Sequence, residues 1–566
     1  MTAGWFDRST ALRRLADEPF DVVIVGGGIT GAGVALDAAS RGLRTALVER
    51  YDFASGTSSK SSKLVHGGLR YLQQGDVRLV YQALAERQRL RRNAPHLVKV
   101  LPFLIPVFAK DGLISKKLAR ALGSAMWMYD LTGGARIGKL HRRLNVDQAL
   151  AHMPTLPRDR LAGAYLYYDA QADDARLTLT LARTAALDHG ATVANGVVAA
   201  GLDKDADGHV TGLRAEADGQ RFTVAARALV NAAGVWSDDV RALDEGSHPG
   251  TIRPAKGVHI TVPWSLVQND IAVVVPVPKD KRSVFVVPWH DMTYIGTTDT
   301  DYDGPLDDPQ CTADDIAYLL RAINGATRGR PESSGVPITE ADITGTWAGL
   351  RPLVKSATSG RTADLSRRHR VTPAPSGVVT ITGGKLTTYR EMAADTVDAV
   401  VDVLDERGTR RAAGRSRTRK LRLRGADGYE QASAAAPPPG AATSVVQHLA
   451  ARYGGEARTV LAMIEGDASL GEPLVAGLPY VRAEALYAAR YEMVRTLDDV
   501  LSRRTRARLL ARDASAAAAP EVAALIGDEL GWDTAEQARQ VDVYRALTEA
   551  ERTAAGLPQS RLPVHP

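Results

Sequence analysis

The sharpest hydrophobic pattern lies in DVVIVGGGITGAGVALDAASRGLRTALVER, from Asp21 to Arg50. Val22–Val25 is a short β-branched run, Ile29–Ser40 is small and helix-compatible, and Thr45–Val48 is a second apolar run. Separated by a glycine turn, these predict a βαβ unit. Two later stretches read as further pieces of the same sheet. ALVNAAGVWSDDV (Ala228–Val240) predicts a strand opening into a small-residue turn. GVVTITGGKLTTYREMAADTVDAVVDVL (Gly377–Leu404) predicts a strand, a Gly383–Gly384 turn and a long helix. Between them, Ile252–Asp303 is rich in β-branched residues and prolines (HITVPW, IAVVVPVP, SVFVVPW, MTYIGTTD), the text of a separate, mostly antiparallel sheet. Residues 80–150 are basic and amphipathic, which predicts helices there.

Arg410–Arg424 carries eight basic residues and no acid, and an Ala/Pro stretch follows at Ala432–Ala442, so a linker is expected. Beyond about Val445 helical patterning dominates, notably RAEALYAARYEMVRTLDDVLSRRTRARLLARDA. At 566 residues the chain exceeds a single core. The expected organisation is a discontinuous nucleotide-binding domain at 20–80, 150–240 and 340–405, a substrate domain at 81–149 and 241–339, and a helical C-terminal domain at 410–566.

Composition changes this picture little. Hydrophobic residues at 45% and charged residues at 24% describe an ordinary globular protein. The single cysteine, Cys311, excludes an intramolecular disulfide and a cysteine zinc cage. Residues 1–20 lack the apolar core of a signal peptide, and no run of about 18 apolar residues appears, so a cytoplasmic chain without a spanning helix is expected. The formal charge of +6 permits attraction to an anionic surface or substrate.

The chemistry starts at the glycines. Gly26, Gly28 and Gly31 occupy the G-x-G-x-x-G positions, and Glu49 closes the second strand, where a ribose-binding acid is expected. Glycines let backbone N–H groups approach a pyrophosphate at a helix N-terminus, where the dipole favours negative charge. Strand, turn, helix, strand and acid agree, so dinucleotide binding is expected. DTDYDG (Asp299–Gly304) copies the first half of a calcium loop, but its twelfth position is Gln310 rather than glutamate, and no metal is expected.

The chain resembles the FAD-dependent glycerol-3-phosphate dehydrogenases. The matching text, in the family's order, includes VGGGITGAG, TSSKSSKLVHGGLRYL, DDARLTL, NAAGVW, KGVHITVP, VVPWHD, IGTTDTDY, GLRPL and GGKLTTYRE, with TLDDVLSRRTR further on. The resemblance implies an α/β, glutathione-reductase-like FAD-binding Rossmann-type domain with an inserted antiparallel substrate domain and an α-helical C-terminal domain. It implies oxidation of sn-glycerol 3-phosphate to dihydroxyacetone phosphate, with electrons passed to membrane quinone or, in oxidase relatives, to oxygen. A flavin-bearing protein without turnover is a third reading.

For the cofactor the resemblance nominates Gly26, Gly28, Gly31, Glu49, Arg50, Thr57, Ser58, Lys63, Leu64, His66, Gly68, Val197, Ala233, Gly234, Trp236, Gly384 and Leu386. For the substrate it nominates Arg70, Tyr71, Thr298, Arg351, Lys385 and Arg367, the last not separable from Arg368 and Arg370. Arginine offers a phosphate a bidentate fork, and lysine a point charge. His259 suits proton abstraction or binding of a substrate oxygen, and His66 packing against the flavin. Lys385, at a helix start, serves either the phosphate or the reduced ring. His259, Arg351 and Lys385 form the expected catalytic set. A quinone reductant without a spanning helix needs a peripheral seat on the inner face of the cell membrane. Gly112–Leu131 suits an interfacial helix or a packed one, and Arg410–Arg424 an anionic lipid surface or a solvated loop. A homodimer is possible; no nucleic-acid module accompanies the basic run.

Overall fold

The computed structural model describes residues 6–68, 77–109, 139–280, 282–330, 333–354, 368–408 and 413–560. Its first sheet runs in the order Arg370–Pro373, Val378–Thr382, Gln220–Asn231, Phe20–Val25, Thr45–Glu49, Thr192–Asn195. The last five strands are parallel; Arg370–Pro373 is an antiparallel edge. Phe20–Val25 and Thr45–Glu49 are buried at every position, which explains their unbroken apolar text. Helix Ile29–Ser40 packs between Asp174–His189 and Tyr389–Glu406. A Cβ on Gly33 would fall 2.8 Å from the Tyr389 ring, so the small helix residues permit this close approach.

The second sheet is ordered Thr300–Asp301, Ile252–Pro263, Met292–Gly296, Ser283–Trp289, Ala272–Pro276, Val98–Phe108, Leu161–Ala172, Leu64–Val65. Gly345–Val354 also pairs along Ile252–Pro263, and Arg142–Leu144 along Leu161–Ala172. Every pairing is antiparallel except Ala272–Pro276 with Val98–Phe108.

Two expectations are corrected. Val77–Asn93 is helical as the basic text predicts, but Val98–Phe108 is an eleven-residue strand. Pro102 and Pro106 remove amides that a helix would need, and β-branched neighbours suit a pleated strand. Leu161–Ala172 and Gly345–Val354, expected in the nucleotide domain, are strands of the second sheet. Their partners, Val98–Phe108 and Ile252–Pro263, are remote in sequence, and period-two text does not name its partner. The C-terminal region is helical, as expected, and packs onto the second sheet: Met292 of that sheet sits in the same core cluster as Tyr480, Leu497 and Tyr544.

That region comprises Thr443–Tyr453, Ala457–Gly466, Arg482–Tyr491, Arg512–Leu530 and Thr534–Ala554, with a π-helical turn at Asp499–Arg504. The basic run, from 413 onward, is a loop tied down from within. Ser416 and Thr418 donate to the Asp37 carboxylate, the Asn93 amide donates to Thr418 O, and Leu423 N donates to Asn93 O. Arg415, Arg417, Arg419 and Lys420 therefore point outward. Arg70, Tyr71, Arg367, Gly112–Leu131 and residues 410–412 lie outside the described residues.

Candidate active site

The glycine turn closes the first strand onto its helix. Gly26 has φ +112°, and a Cβ there would meet Ala232 O at 2.6 Å; one on Gly31 would sit 1.9 Å from Gly26 O. Only glycine fits either position. Gly28 caps the helix without a side-chain bond, and Ser58 Oγ accepts from Ile29 N at 2.9 Å. This helix N-terminus borders a cavity of about 340 Å³. Here the helix dipole favours an anion.

Glu49, buried at the end of its strand, accepts from Gly27 N at 2.6 Å through one carboxylate oxygen and from Tyr51 N at 2.9 Å through the other. Burial pushes its pKa up, and the two N–H bonds oppose that shift. Arg50 lies 4.4 Å over the Tyr51 ring and 5.3 Å from that of Trp236, and pairs with Asp307. Thr57 donates to Leu350 O at 2.6 Å, tying the loop to the second sheet. Val197, Ala233, Gly234 and Trp236 supply an apolar wall. The turn at Gly384, Lys385 and Leu386 adds another. A Cβ on Gly384 would stand 2.4 Å from the Met392 sulfur, at φ +91°.

One cavity thus gathers most of the residues nominated for the cofactor. Its donor set fits a flavin dinucleotide: a helix N-terminus for pyrophosphate, a carboxylate for ribose and apolar walls for rings.

Five nominated residues do not line it. Gly31 acts by packing, as above. Lys63 turns inward, its Nζ 3.2 Å from Asp174 Oδ1 and 3.1 Å from Ser59 O. Leu64 packs with Phe103, Tyr167 and Trp347 in an apolar cluster. His66 N donates to Thr387 Oγ1 at 3.1 Å, and its ring meets Phe285 edge-on. Gly68, at φ +78°, ends this described segment.

Three of the substrate-side candidates, His259, Arg351 and Thr298, meet along Ile252–Pro263. His259 is 2% exposed, stacks on Trp347 with ring centroids 4.7 Å apart, and holds Ser62 Oγ 2.9 Å from its Nε2. Burial, then the charges of Lys63 and Arg351, hold its pKa well below the ordinary histidine value, so the ring is neutral. Arg351 lies over Gly257, two residues from His259, where a Cβ would be 2.6 Å from its Nη2. Its guanidinium pairs with Asp299 at 3.1 Å and donates to Thr297 Oγ1 and Thr298 O, both at 3.2 Å. Thr298 Oγ1 accepts from Val258 N, so Thr298 braces the strand. Lys385 lines the cavity rather than this face.

Sequence patterns missed the residues that hold this face. Ser61 O accepts from Trp347 Nε1 at 3.1 Å, and Ser62 O from Tyr294 OH at 2.8 Å. Asp174, inside DDARLTL, and Arg506, inside SRRTR, meet beside the same loop. Two adjacent acids at a helix start and three arginines in four residues were the only local signals.

The family model described as "FAD dependent oxidoreductase" matches residues 21–390, and that described as "C-terminal domain of alpha-glycerophosphate oxidase" matches 416–537. The chain is 42% identical to glycerol-3-phosphate dehydrogenase 2 of Mycobacterium tuberculosis, over 96% of this chain and 90% of that relative. It is 38% identical to the mitochondrial glycerol-3-phosphate dehydrogenase of Homo sapiens, over 93% of this chain and 72% of that relative. The X-ray structure of the glycerol-3-phosphate dehydrogenase from Bacillus halodurans complexed with FAD superposes with a TM-score of 0.76 at 30% identity, covering 98% of each chain. The chain belongs to the family of FAD-dependent glycerol-3-phosphate dehydrogenases.

Proposed function

We propose that this chain binds FAD in the glycine-turn cavity and oxidises sn-glycerol 3-phosphate to dihydroxyacetone phosphate, passing electrons to membrane quinone. The observation that supports this is a dinucleotide cradle lined by Pro352 and tied through Thr57 to Leu350, on the strand that carries Arg351 and pairs along the strand of His259. When bound, FAD supplies the hydride acceptor. Gly26, Gly28 and Ser58 hold the pyrophosphate, Glu49 the ribose, and the Gly384–Leu386 turn the ring end. Arg351 grips the phosphate dianion with a fixed charge and a fork. His259, kept neutral by burial and its cationic neighbours, takes the hydroxyl proton.

Among the described residues no helix is long and apolar enough to cross a membrane. The outward cations Arg415, Arg417, Arg419 and Lys420 support a peripheral seat on an anionic membrane surface.

Anaerobic titration with glycerol 3-phosphate, followed by the flavin spectrum, tests the reading. Bleaching reversed by quinone is expected. A flavin that stays yellow refutes the substrate. Reoxidation by air as fast as by quinone, with peroxide formed, makes the chain an oxidase instead.

A further inference from the structure

Arg506 belongs to the C-terminal helical region, yet its guanidinium ends at the loop that faces His259. We infer that Arg506 is a positioning residue for the redox reaction: through Asp174 it fixes the Ser59–Lys63 loop, and with it the contact between Ser62 and His259. This rests on the proposed role of His259 and its strand face.

The geometry is a buried four-way junction. Arg506 Nη1 donates to Ser502 O at 2.9 Å, inside the π-helical turn, which fixes the guanidinium plane. Its Nη2 donates to Ser59 O and, at 2.7 Å, to Asp174 Oδ1. Asp174 Oδ2 accepts from Ser61 N at 3.0 Å and from Ser61 Oγ at 2.7 Å. Lys63 Nζ closes the junction on Asp174 and Ser59 O. The side chains of Arg506, Asp174 and Lys63 are 1%, 0% and 3% exposed. The next residue, Ser62, turns its hydroxyl to His259. Buried ion networks seldom add net stability, because desolvation offsets the attraction. What this one fixes is the position of the loop that carries Ser62.

It also sets a charge. Lys63 is faced by Asp174 and Asp173 from the helix start, by Arg506 and by His259. Burial, then Arg506, lowers its pKa to about 8. Without the Arg506 charge, Lys63 keeps its proton to higher pH.

The same helix offers a control. Arg183 joins Asp174–His189 to the C-terminal region through Glu456 at 2.7 Å and Tyr487 OH at 3.1 Å, without touching the loop. The test compares wild type, Arg506→Lys, Arg506→Met and Arg183→Lys as full-length holoenzymes. It measures FAD content, melting, amide exchange of residues 57–66, and the anaerobic rate and pH profile of flavin reduction by glycerol 3-phosphate.

Arg506→Met is expected to retain FAD, to exchange faster in that peptide, and to reduce flavin about 10²-fold more slowly, the scale of a ~1 Å misplacement. Its alkaline limb moves upward, and Arg506→Lys recovers part of the rate. Arg183→Lys leaves the peptide and the limb unchanged. If Arg506→Met does not fold, Arg506→Lys carries the same comparison. Rate losses that merely follow melting in both families, with unchanged exchange at 57–66, overturn the inference. Wild-type flavin that ignores glycerol 3-phosphate refutes the substrate assignment instead, while the exchange comparison still decides whether Arg506 orders the loop.

Discussion

Replacing Glu49 by glutamine is the most informative perturbation of the cofactor cradle. The two carboxylate oxygens accept from two different backbone donors, Gly27 N at 2.6 Å and Tyr51 N at 2.9 Å, in a buried site. A glutamine amide has one oxygen to offer and turns its NH₂ toward the other donor. One buried N–H then loses its acceptor, which costs about 1–3 kcal/mol. The remaining bond falls from charge-assisted to neutral strength, about 1 kcal/mol more. The sum, about 2–4 kcal/mol, corresponds to a drop of about 4–16 °C in the melting of a domain of this size. The same change removes the carboxylate proposed for the ribose, so FAD added in excess should raise the melting of Glu49→Gln less than that of wild-type apoprotein. Calorimetry of apo and FAD-loaded protein, with flavin stoichiometry after dialysis, measures both effects. A variant melting within about 1 °C of wild type and holding full FAD would refute both the turn-organising and the ribose roles.

Two further outcomes are expected. Arg351→Ala removes a charge-assisted contact to the phosphate, worth about 1.5–3 kcal/mol, so kcat/KM for glycerol 3-phosphate should fall about 10- to 10²-fold while FAD stays bound; steady-state kinetics with flavin quantification checks this, and unchanged kcat/KM removes Arg351 from the site. Asp173 and Glu484 are raised by burial but held down to about 2, Asp173 chiefly by Arg506 and Arg452, Glu484 chiefly by His448 and Arg452. With folded values below the unfolded ones, their stabilisation is complete above about pH 5 and disappears as pH falls toward 2. Urea titrations across that window should show stability falling with acid, and Glu484→Gln should flatten the slope.

Much of the cofactor side was legible because its rules are local. Left-handed glycines, a helix N-terminus and an acid closing a strand occupy about thirty consecutive residues, and each is demanded by backbone geometry within a few bonds. The structure brings those residues to one cavity, together with Ala233, Gly234 and Trp236 from the strand beginning at Gln220 and Gly384–Leu386 after the strand ending at Thr382. Motif text placed His259 in strand-rich text and named Arg351 without giving it an element, and it did not say that their two strands pair along their lengths.

Lys63 shows where local reasoning stops. A lysine beside a flexible loop reads as a ligand contact, yet it is spent on Asp174, more than a hundred residues away. Val98–Phe108 read as helix because basic flanks and amphipathic spacing outweighed two prolines. For Arg506 the arginine cluster was the only local signal and did not name its partner, since Asp174 lies 332 residues back in the chain.

By itself, then, the sequence determined the turn chemistry, the parallel strands and a dinucleotide as the class of cofactor, because these follow from steric limits and periodicity over short spans. Only the tertiary structure decided which strands share a sheet, which cations face carboxylates rather than ligand, and that the C-terminal helices reach the substrate loop. Those are choices of partner, fixed by burial and charge pairing between remote segments, and no single stretch of residues contains both halves of the pair.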